Sequence, residues 1–185
     1  MRVISGSAKG RRLKSLPGAG TRPIADRVKT ALFDILGASV VGARVLDLFA
    51  GTGSVGIEAL SRGAAEAVFV EKDPRAVRVL RENLQRTDLA DRARVVRGDV
   101  FVFLRSGRVE PFDLIYVAPP QYRGWWRRTL EALDAQPGWL APEGRIVVQI
   151  HPREFEALSL SQLALADRRD YGSTVLCFYR RKEEG

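Results

Sequence analysis

Val45-Leu46-Asp47-Leu48-Phe49-Ala50-Gly51-Thr52-Gly53-Ser54 is the stretch on which the fold turns. A short apolar run, 44–49, carries an acid near its end and passes into glycines, where the chain must bend sharply into a helix expected over about 54–61. Gly51 and Gly53 carry no Cβ, so the backbone there can take unusual dihedrals and lie close against a ligand. Helix N–H groups just beyond the bend stay available to that ligand. A second acid, Glu71, follows the next apolar strand, 67–70, and stands 20 positions after Gly51 (71 minus 51). An acid about 20 residues beyond a glycine turn is how dinucleotide folds hold a ribose. An NAD site remains one reading of this pattern. Asp47 weighs against it, because an acid beside a pyrophosphate is unfavourable, whereas one beside a cationic amino-acid ligand is favourable.

The strand–helix alternation continues outward in both directions. Asp73-Pro74 supplies an N-cap followed by proline at the first helical position, opening a helix to about Gln85. Further strands are expected at 94–97, 112–117 and 145–150, with a helix at 125–133. The β-rich stretches 163–168 and 174–179 flank Tyr171-Gly172 and read as a terminal hairpin. Such alternation predicts an α/β, Rossmann-like domain: a mostly parallel seven-stranded sheet with an antiparallel C-terminal edge hairpin and helices on both faces. Ahead of it, residues 1–16 read as a short hairpin closed by a Pro17-Gly18-Ala19-Gly20 loop. A helix follows over 24–36, with Val28, Leu32, Ile35 and Leu36 as its apolar stripe and Arg27 and Lys29 on the flanks of that stripe. The expected division is a basic front extension, 1–38, and a ligand-binding domain, 39–185.

Charge is concentrated in that extension. Residues 1–29 hold eight basic side chains, Arg2, Lys9, Arg11, Arg12, Lys14, Arg22, Arg27 and Lys29, against the single acid Asp26. They carry +7 of the formal net charge of +8 and leave +1 to the rest of the chain. A cluster of this kind is the electrostatic footprint of a phosphate-backbone reader. A solubilising basic tail has the same composition. Hydrophobic residues at 45% and charged residues at 28% exclude a disordered chain, and no apolar stretch approaches the roughly 18 residues of a membrane helix. Cys177 is the lone cysteine, which excludes an internal disulfide and a multi-cysteine zinc site. The expectation is a cytoplasmic monomer with no metal and no membrane association.

A third acid, in Gly98-Asp99, follows the third strand and faces the ligand crevice if the sheet is parallel. It could accept an adenine amino group or simply cap the next helix. His151 has no partner histidine and reads as structural, and Cys177 alternates with apolar neighbours as a small buried hydrophobe.

The fourth strand ends in Tyr116-Val117-Ala118-Pro119-Pro120-Gln121-Tyr122. Here the chain resembles the bacterial 16S rRNA (guanine-N2) methyltransferase family. The likeness also takes in Arg2-Val3-Ile4-Ser5-Gly6, Lys9-Gly10-Arg11, Thr21-Arg22-Pro23, Asp26-Arg27-Val28, Glu71-Lys72-Asp73 and Tyr171-Gly172-Ser173-Thr174. The resemblance implies methyl transfer from S-adenosyl-L-methionine to the exocyclic amine of one guanine in 16S rRNA or the small ribosomal subunit. By position it implies that Asp47, Gly51 and Gly53 line the amino-acid end of the cofactor. Glu71 would take the ribose, Asp99 and Val100 the adenine, and Phe49, Lys72 and Ala118 would also lie against the cofactor. Ala118, Pro119 and Pro120 would hold the target base against the methyl group, with Tyr122 stacking on the extruded ring. Lys9, Arg11, Arg12, Lys14, Arg22 and Arg27 would grip phosphates.

One position departs from that family. An acid, or in related amino methyltransferases Asn or Ser, stands before the two prolines; this chain has Ala118. An exocyclic amine is a weak nucleophile, and acceptors on its protons favour the charge that develops on nitrogen. The Ala118 carbonyl or Gln121 could supply the acceptor. Loss of it would leave an RNA-binding or ribosome-assembly factor on the same fold. The double-proline loop also serves amino methyltransferases of DNA adenine and protein glutamine. Trp125 and Trp126 read as packing beneath this loop.

Overall fold

A computed structural model describes residues 1–18, 23–107 and 110–184. Along the chain run α1 (Asp26–Leu36), β1 (Arg44–Leu48), α2 (Ser54–Ser61), β2 (Glu66–Glu71), α3 (Pro74–Arg86) and β3 (Ala93–Arg97). The second half holds α4 (Val100–Leu104), β4 (Phe112–Val117), α5 (Trp125–Ala135), β5 (Leu140–Ile150), β6 (Leu163–Tyr171) and β7 (Thr174–Arg181). The strands form one sheet in the order β3-β2-β1-β4-β5-β7-β6. β1 to β5 are mutually parallel, and β7 runs antiparallel to both β5 and β6. The expected doubly covered sheet with its terminal antiparallel hairpin is therefore present.

Burial on both faces explains why the central strands read as unbroken apolar runs. Val45, Leu114, Tyr116 and Val147 face one layer, formed by the front segment, α1, α2 and α3. Leu46, Leu48, Ile115, Val117 and Val148 face the other, formed largely by α4 and α5. β1 lies between β2 and β4, so the chain order reverses there. The crevice outside the carboxyl ends of β1 and β4 is where such sheets take ligands.

The front segment is part of the first layer. Only one bridge, Arg2 with Arg12, survives of the expected hairpin, flanked by bonds from Val3 N to Arg11 O (2.9 Å) and from Leu13 N to Met1 O (2.9 Å). Val3, Ala8 and Leu13 are buried in the same cluster as α2 and the sheet. Gly6 lets this segment lie on α2, for a Cβ there would stand 1.9 Å from Ser61 O. The closing loop falls partly outside the described residues, at positions 19 and 20, as do Thr21 and Arg22.

Lys29 corrects the reading of α1. It is fully buried, not on a solvated flank, because Phe33 rather than Ile35 completes the inward stripe with Val28, Leu32 and Leu36. Its ammonium stands 3.4 Å from the equally buried Glu58 carboxylate of α2 and donates to Arg2 O (2.9 Å) and Ser54 Oγ (3.0 Å). Glu58 also accepts from Ile4 N (2.8 Å), Ser5 N (3.0 Å) and Arg62 Nε (2.8 Å). One buried ion pair thus ties α1, α2 and the first five residues together. Other differences are small: β1 ends at Leu48, leaving Phe49 in the turn, and β5 begins at Leu140, five residues before its expected start. The short α4 follows Asp99, where the sequence allowed a capped helix without giving its bounds.

Candidate functional site

The glycine turn leaves β1 at Phe49, which takes a left-handed φ of 59°, and reaches α2 through Gly51 (φ 59°) and Gly53 (φ 91°). Asp47, near the end of β1 before this bend, is buried. Its Oδ2 accepts from Gly56 N (3.1 Å), and no cation among the described residues is paired with it. Burial, with a contribution from the Glu71 charge, pushes its pKa up to about 8 despite the Gly56 bond. A buried acid beside an open crevice and lacking a counter-charge fits a cationic ligand and disfavours a pyrophosphate.

Glu71 ends β2 and staples the turn from the other side, accepting from Gly51 N (2.7 Å) and Asp73 N (2.8 Å). Each oxygen keeps a lone pair for a further donor. Asp73 accepts from Arg75 N (2.9 Å) with Pro74 behind it, as its N-cap role predicted. Of the two readings of Asp99, the helix cap is the one the structure shows. Its Oδ1 caps α4 through Phe101 N (2.8 Å) and Val102 N (3.1 Å), while Oδ2 faces Lys72 Nζ at 4.0 Å.

Two adjoining pockets meet at Phe49, Glu71 and Asp73. The first, with about 710 Å³ of empty space including its open mouth, is lined by Asp47, Gly51, Ser54, Tyr116, Ala118 and Gln149. Leu16, Pro23 and Ile24 of the front segment roof it. The second is lined by Lys72, Asp99, Val100, Phe101, Pro120 and Trp125. Phe49 stacks on Trp125 with centroids 6.1 Å apart, and Phe101 meets both edge-on. This aromatic wall beside the Asp99 carboxylate suits a flat, amino-bearing heterocycle. The two tryptophans differ: Trp126 is buried against Phe155, whereas Trp125 is a pocket wall.

Pro119 and Pro120 follow β4; Pro119 is buried and lines neither pocket, whereas Pro120 lines the second. Tyr122 then stands 62% exposed with a left-handed φ of 61°. That backbone costs energy for a non-glycine residue and is held by a bond from Tyr122 N to Glu154 Oε1 (2.7 Å). Glu154 in turn accepts from His151 N (3.2 Å), and the His151 ring lies 5.8 Å from that of Tyr122. His151 is structural, accepting from Arg153 N at Nδ1 (3.1 Å). Gln121 is exposed and lines neither pocket.

Of the basic set, Lys9, Arg12 and Arg27 are exposed. Arg11 donates to Arg86 O (2.7 Å) and Asp88 Oδ2 (3.0 Å), and Lys14 to Glu82 Oε2 (2.7 Å), so both lean on α3. Arg22 lies outside the described residues. Sequence reasoning missed Asn83, a buried amide on α3 that accepts from Lys14 N (2.8 Å) and donates to Thr52 O (3.0 Å), joining the front segment to the glycine turn. A polar residue within the apolar stripe of α3 was the available signal.

This sheet order, with an acid-flanked glycine turn at the switch and a double-proline loop after β4, defines the fold of the class I S-adenosylmethionine-dependent methyltransferases. A solved RNA methyltransferase from Salinibacter ruber, in complex with S-adenosyl-L-homocysteine, has this fold at 20% identity, with a TM-score of 0.64 over 86% of this chain and 93% of that one. Within the class, the chain belongs to the family described as "Conserved hypothetical protein 95", matched over residues 1–180. Ribosomal RNA small subunit methyltransferase D of Escherichia coli (strain K12) is 35% identical over 185 residues, covering 100% of this chain and 92% of the relative. The hypothetical protein TTHA0928 of Thermus thermophilus superposes with a TM-score of 0.80 at 37% identity, covering 96% of this chain and 98% of that one.

Proposed function

We propose that this chain methylates the exocyclic N2 of a guanine in 16S rRNA of the small ribosomal subunit, using S-adenosyl-L-methionine. The observation that carries the reading is the uncompensated buried carboxylate of Asp47 at the mouth of the glycine turn, in the same pocket as Ala118 of the double-proline loop. Asp47, Gly51 and Gly53 would hold the amino-acid end, Glu71 with Lys72 the ribose, and Asp99, Val100, Phe49 and Trp125 the adenine. When bound, the cofactor supplies an electrophilic methyl group on a cationic sulfur. The chain's own residues orient the acceptor nitrogen, exclude water and hold the target base, and most of the acceleration comes from that alignment. Tyr122, exposed just beyond the double-proline loop, offers a face for an extruded base.

The front extension, 1–38, is the RNA-facing part and 39–185 the cofactor-binding part. Lys9, Arg12 and Arg27 are open to phosphates, and Arg11 and Lys14 can exchange their exposed acid partners for them, since exposed pairs are worth only about 0–1 kcal/mol. The relative named a small-subunit rRNA methyltransferase supports the choice of RNA. The test is tritium transfer from labelled S-adenosylmethionine to unmodified 16S rRNA and to partly assembled small subunits, followed by mass spectrometry of the nucleosides. N2-methylguanosine is expected. Label on adenine or on protein would refute the substrate. Ala118 favours a second reading, an RNA-binding assembly factor without turnover, and sustained transfer would exclude it.

A further inference from the structure

Position 118 lacks the acceptor that amine methylation calls for, and the crevice contains another. Val117 pairs with Val148 across β4 and β5, which brings Gln149 level with Ala118 on the neighbouring strand. Both residues line the first pocket together with Tyr116 and Asp47, which are themselves paired across β4 and β1. Alternation along the strands puts Tyr116, Ala118 and Gln149 on one face, the face roofed by the front segment. Gln149 therefore places a half-buried amide where the side chain of residue 118 stops at a methyl group.

The amide is oriented. The buried Tyr116 hydroxyl donates to Gln149 Oε1, so its only proton is committed. Burial, reinforced by the nearby Asp47 carboxyl, holds the phenol well above its ordinary pKa, so the hydroxyl keeps that proton at any physiological pH. Each of the two oxygens retains a lone pair, and the Gln149 Nε2 makes no hydrogen bond to another described residue. A carbonyl acceptor beside an N–H donor matches an exocyclic amine next to a ring nitrogen, the edge that guanine N2 and N3 present. Gln121 cannot serve this way, being exposed outside both pockets.

We propose that Gln149, oriented by Tyr116, is the hydrogen-bond acceptor for the target amine that position 118 lacks. The inference rests on the methyltransferase reading above. Gln149 touches the substrate and would be a catalytic residue; Tyr116 is a positioning residue. Gln149→Ala is expected to lower kcat by about 10²–10³-fold, the cost of deleting a side chain that stabilises transition-state charge. Gln149→Glu keeps an acceptor and should stay within about tenfold of wild type by the same reasoning. Adding Ala118→Asp to Gln149→Ala supplies an acceptor from the adjacent strand and should restore most of the loss.

A second readout does not depend on turnover. Once the wild-type protein has marked its target, an RNA fragment carrying guanosine or inosine there is titrated in the presence of S-adenosylhomocysteine. Inosine lacks the amine. Wild type should prefer guanosine by roughly fivefold to tenfold, the worth of one hydrogen bond, and Gln149→Ala should lose that preference. Calorimetry with S-adenosylhomocysteine checks that each variant is folded. Active wild type with Gln149→Ala at full kcat and full guanosine preference would overturn this proposal alone. A Gln149→Ala defect matched by Gln149→Glu and not rescued by Ala118→Asp would also overturn it, by showing a structural role. Wild type that transfers no methyl group would overturn the methyltransferase reading itself.

Discussion

Asp47 sets burial against charge more sharply than any other residue of the crevice. Free, it holds its proton up to about pH 8, where an ordinary aspartate titrates near 3.8. A folded-state pKa above the unfolded one means that the folded chain binds more protons between those values. The stability this group contributes is complete below about pH 3.8 and is lost as pH rises through about 8. A cationic ligand needs the ionised form, so binding releases a proton throughout that window. S-adenosylmethionine affinity should rise with pH toward 8, approaching tenfold per unit, and flatten where the ligand's own α-amino group (pKa about 7.7–8.0) starts to lose its charge. Calorimetry in buffers of different ionisation enthalpy reads the released proton directly. Asp47→Asn should bind more weakly and without pH dependence; a variant with the wild-type profile would show that Asp47 does not face the ligand's charge. The pattern of acids and glycines announced this site because chemistry at a strand end is local. Gln149 was not legible, since only the β4–β5 register brings it beside Ala118, 31 residues earlier (149 minus 118).

At the scale of elements, the strands and helices whose burial follows a period were readable, and the exceptions have physical causes. The parallel strands announced themselves as apolar runs, and Asp73-Pro74 marked the start of α3. Lys29 reads from the sequence as a flank of the α1 stripe, not part of its buried face, because a charge is seldom fully buried. The partner that makes its burial tolerable, Glu58, lies 29 positions away on α2 (58 minus 29). Burial lowers the Lys29 pKa and the Glu58 charge opposes that shift, so the pair holds only while both partners are present. Lys29→Ala leaves a buried carboxylate with Arg62 and two backbone N–H groups but without its second cation. The expected cost is about 3–5 kcal/mol, and at roughly 2–4 °C per kcal/mol for a domain of this size the melting temperature should fall by roughly 6–20 °C. Because Lys29 also donates to Ser54 at the start of α2, the glycine turn should loosen with it. Thermal unfolding with and without S-adenosylhomocysteine measures both effects. A loss under about 1 kcal/mol would mean that the front segment is held by its apolar contacts and its remaining hydrogen bonds to α2 and α3, without need of the Lys29–Glu58 pair.

For the whole molecule, the sequence reading assigned nearly all the excess positive charge to the front, and the fold redistributes it. Arg11 and Lys14 are drawn onto α3, so the basic front continues along that helix. There Arg78, Arg81 and Arg97 line one groove with Pro74, Val77, Glu82 and Gln85. All three guanidinium groups are on exposed residues, and no carboxylate among the described residues is within ion-pair distance of them. The groove's one acid, Glu82, is occupied by Lys14, which holds its carboxyl below the ordinary range. Arg78 and Arg81 come from one face of α3 and Arg97 from the edge strand β3, 16 residues beyond Arg81 (97 minus 81), so composition alone could not group them. Pro74 also lines the aromatic pocket, which makes this positive track continuous with the cofactor crevice. A polynucleotide reaching the double-proline loop across the front would find phosphate partners along it. Each phosphate neutralised releases condensed counterions, about 0.7 of an ion on single strands and 0.9 on duplex. Replacing the three arginines by glutamine should therefore make the plot of log affinity against log salt shallower by about 2 to 3. Affinity for S-adenosylhomocysteine should not change, because none of the three lines either crevice pocket. Filter binding of unmodified 16S rRNA between about 50 and 200 mM salt, the range over which such contacts dominate, measures the slope. An unchanged slope would confine the RNA to the front extension, with the arginines of α3 and β3 serving only to keep the surface charged.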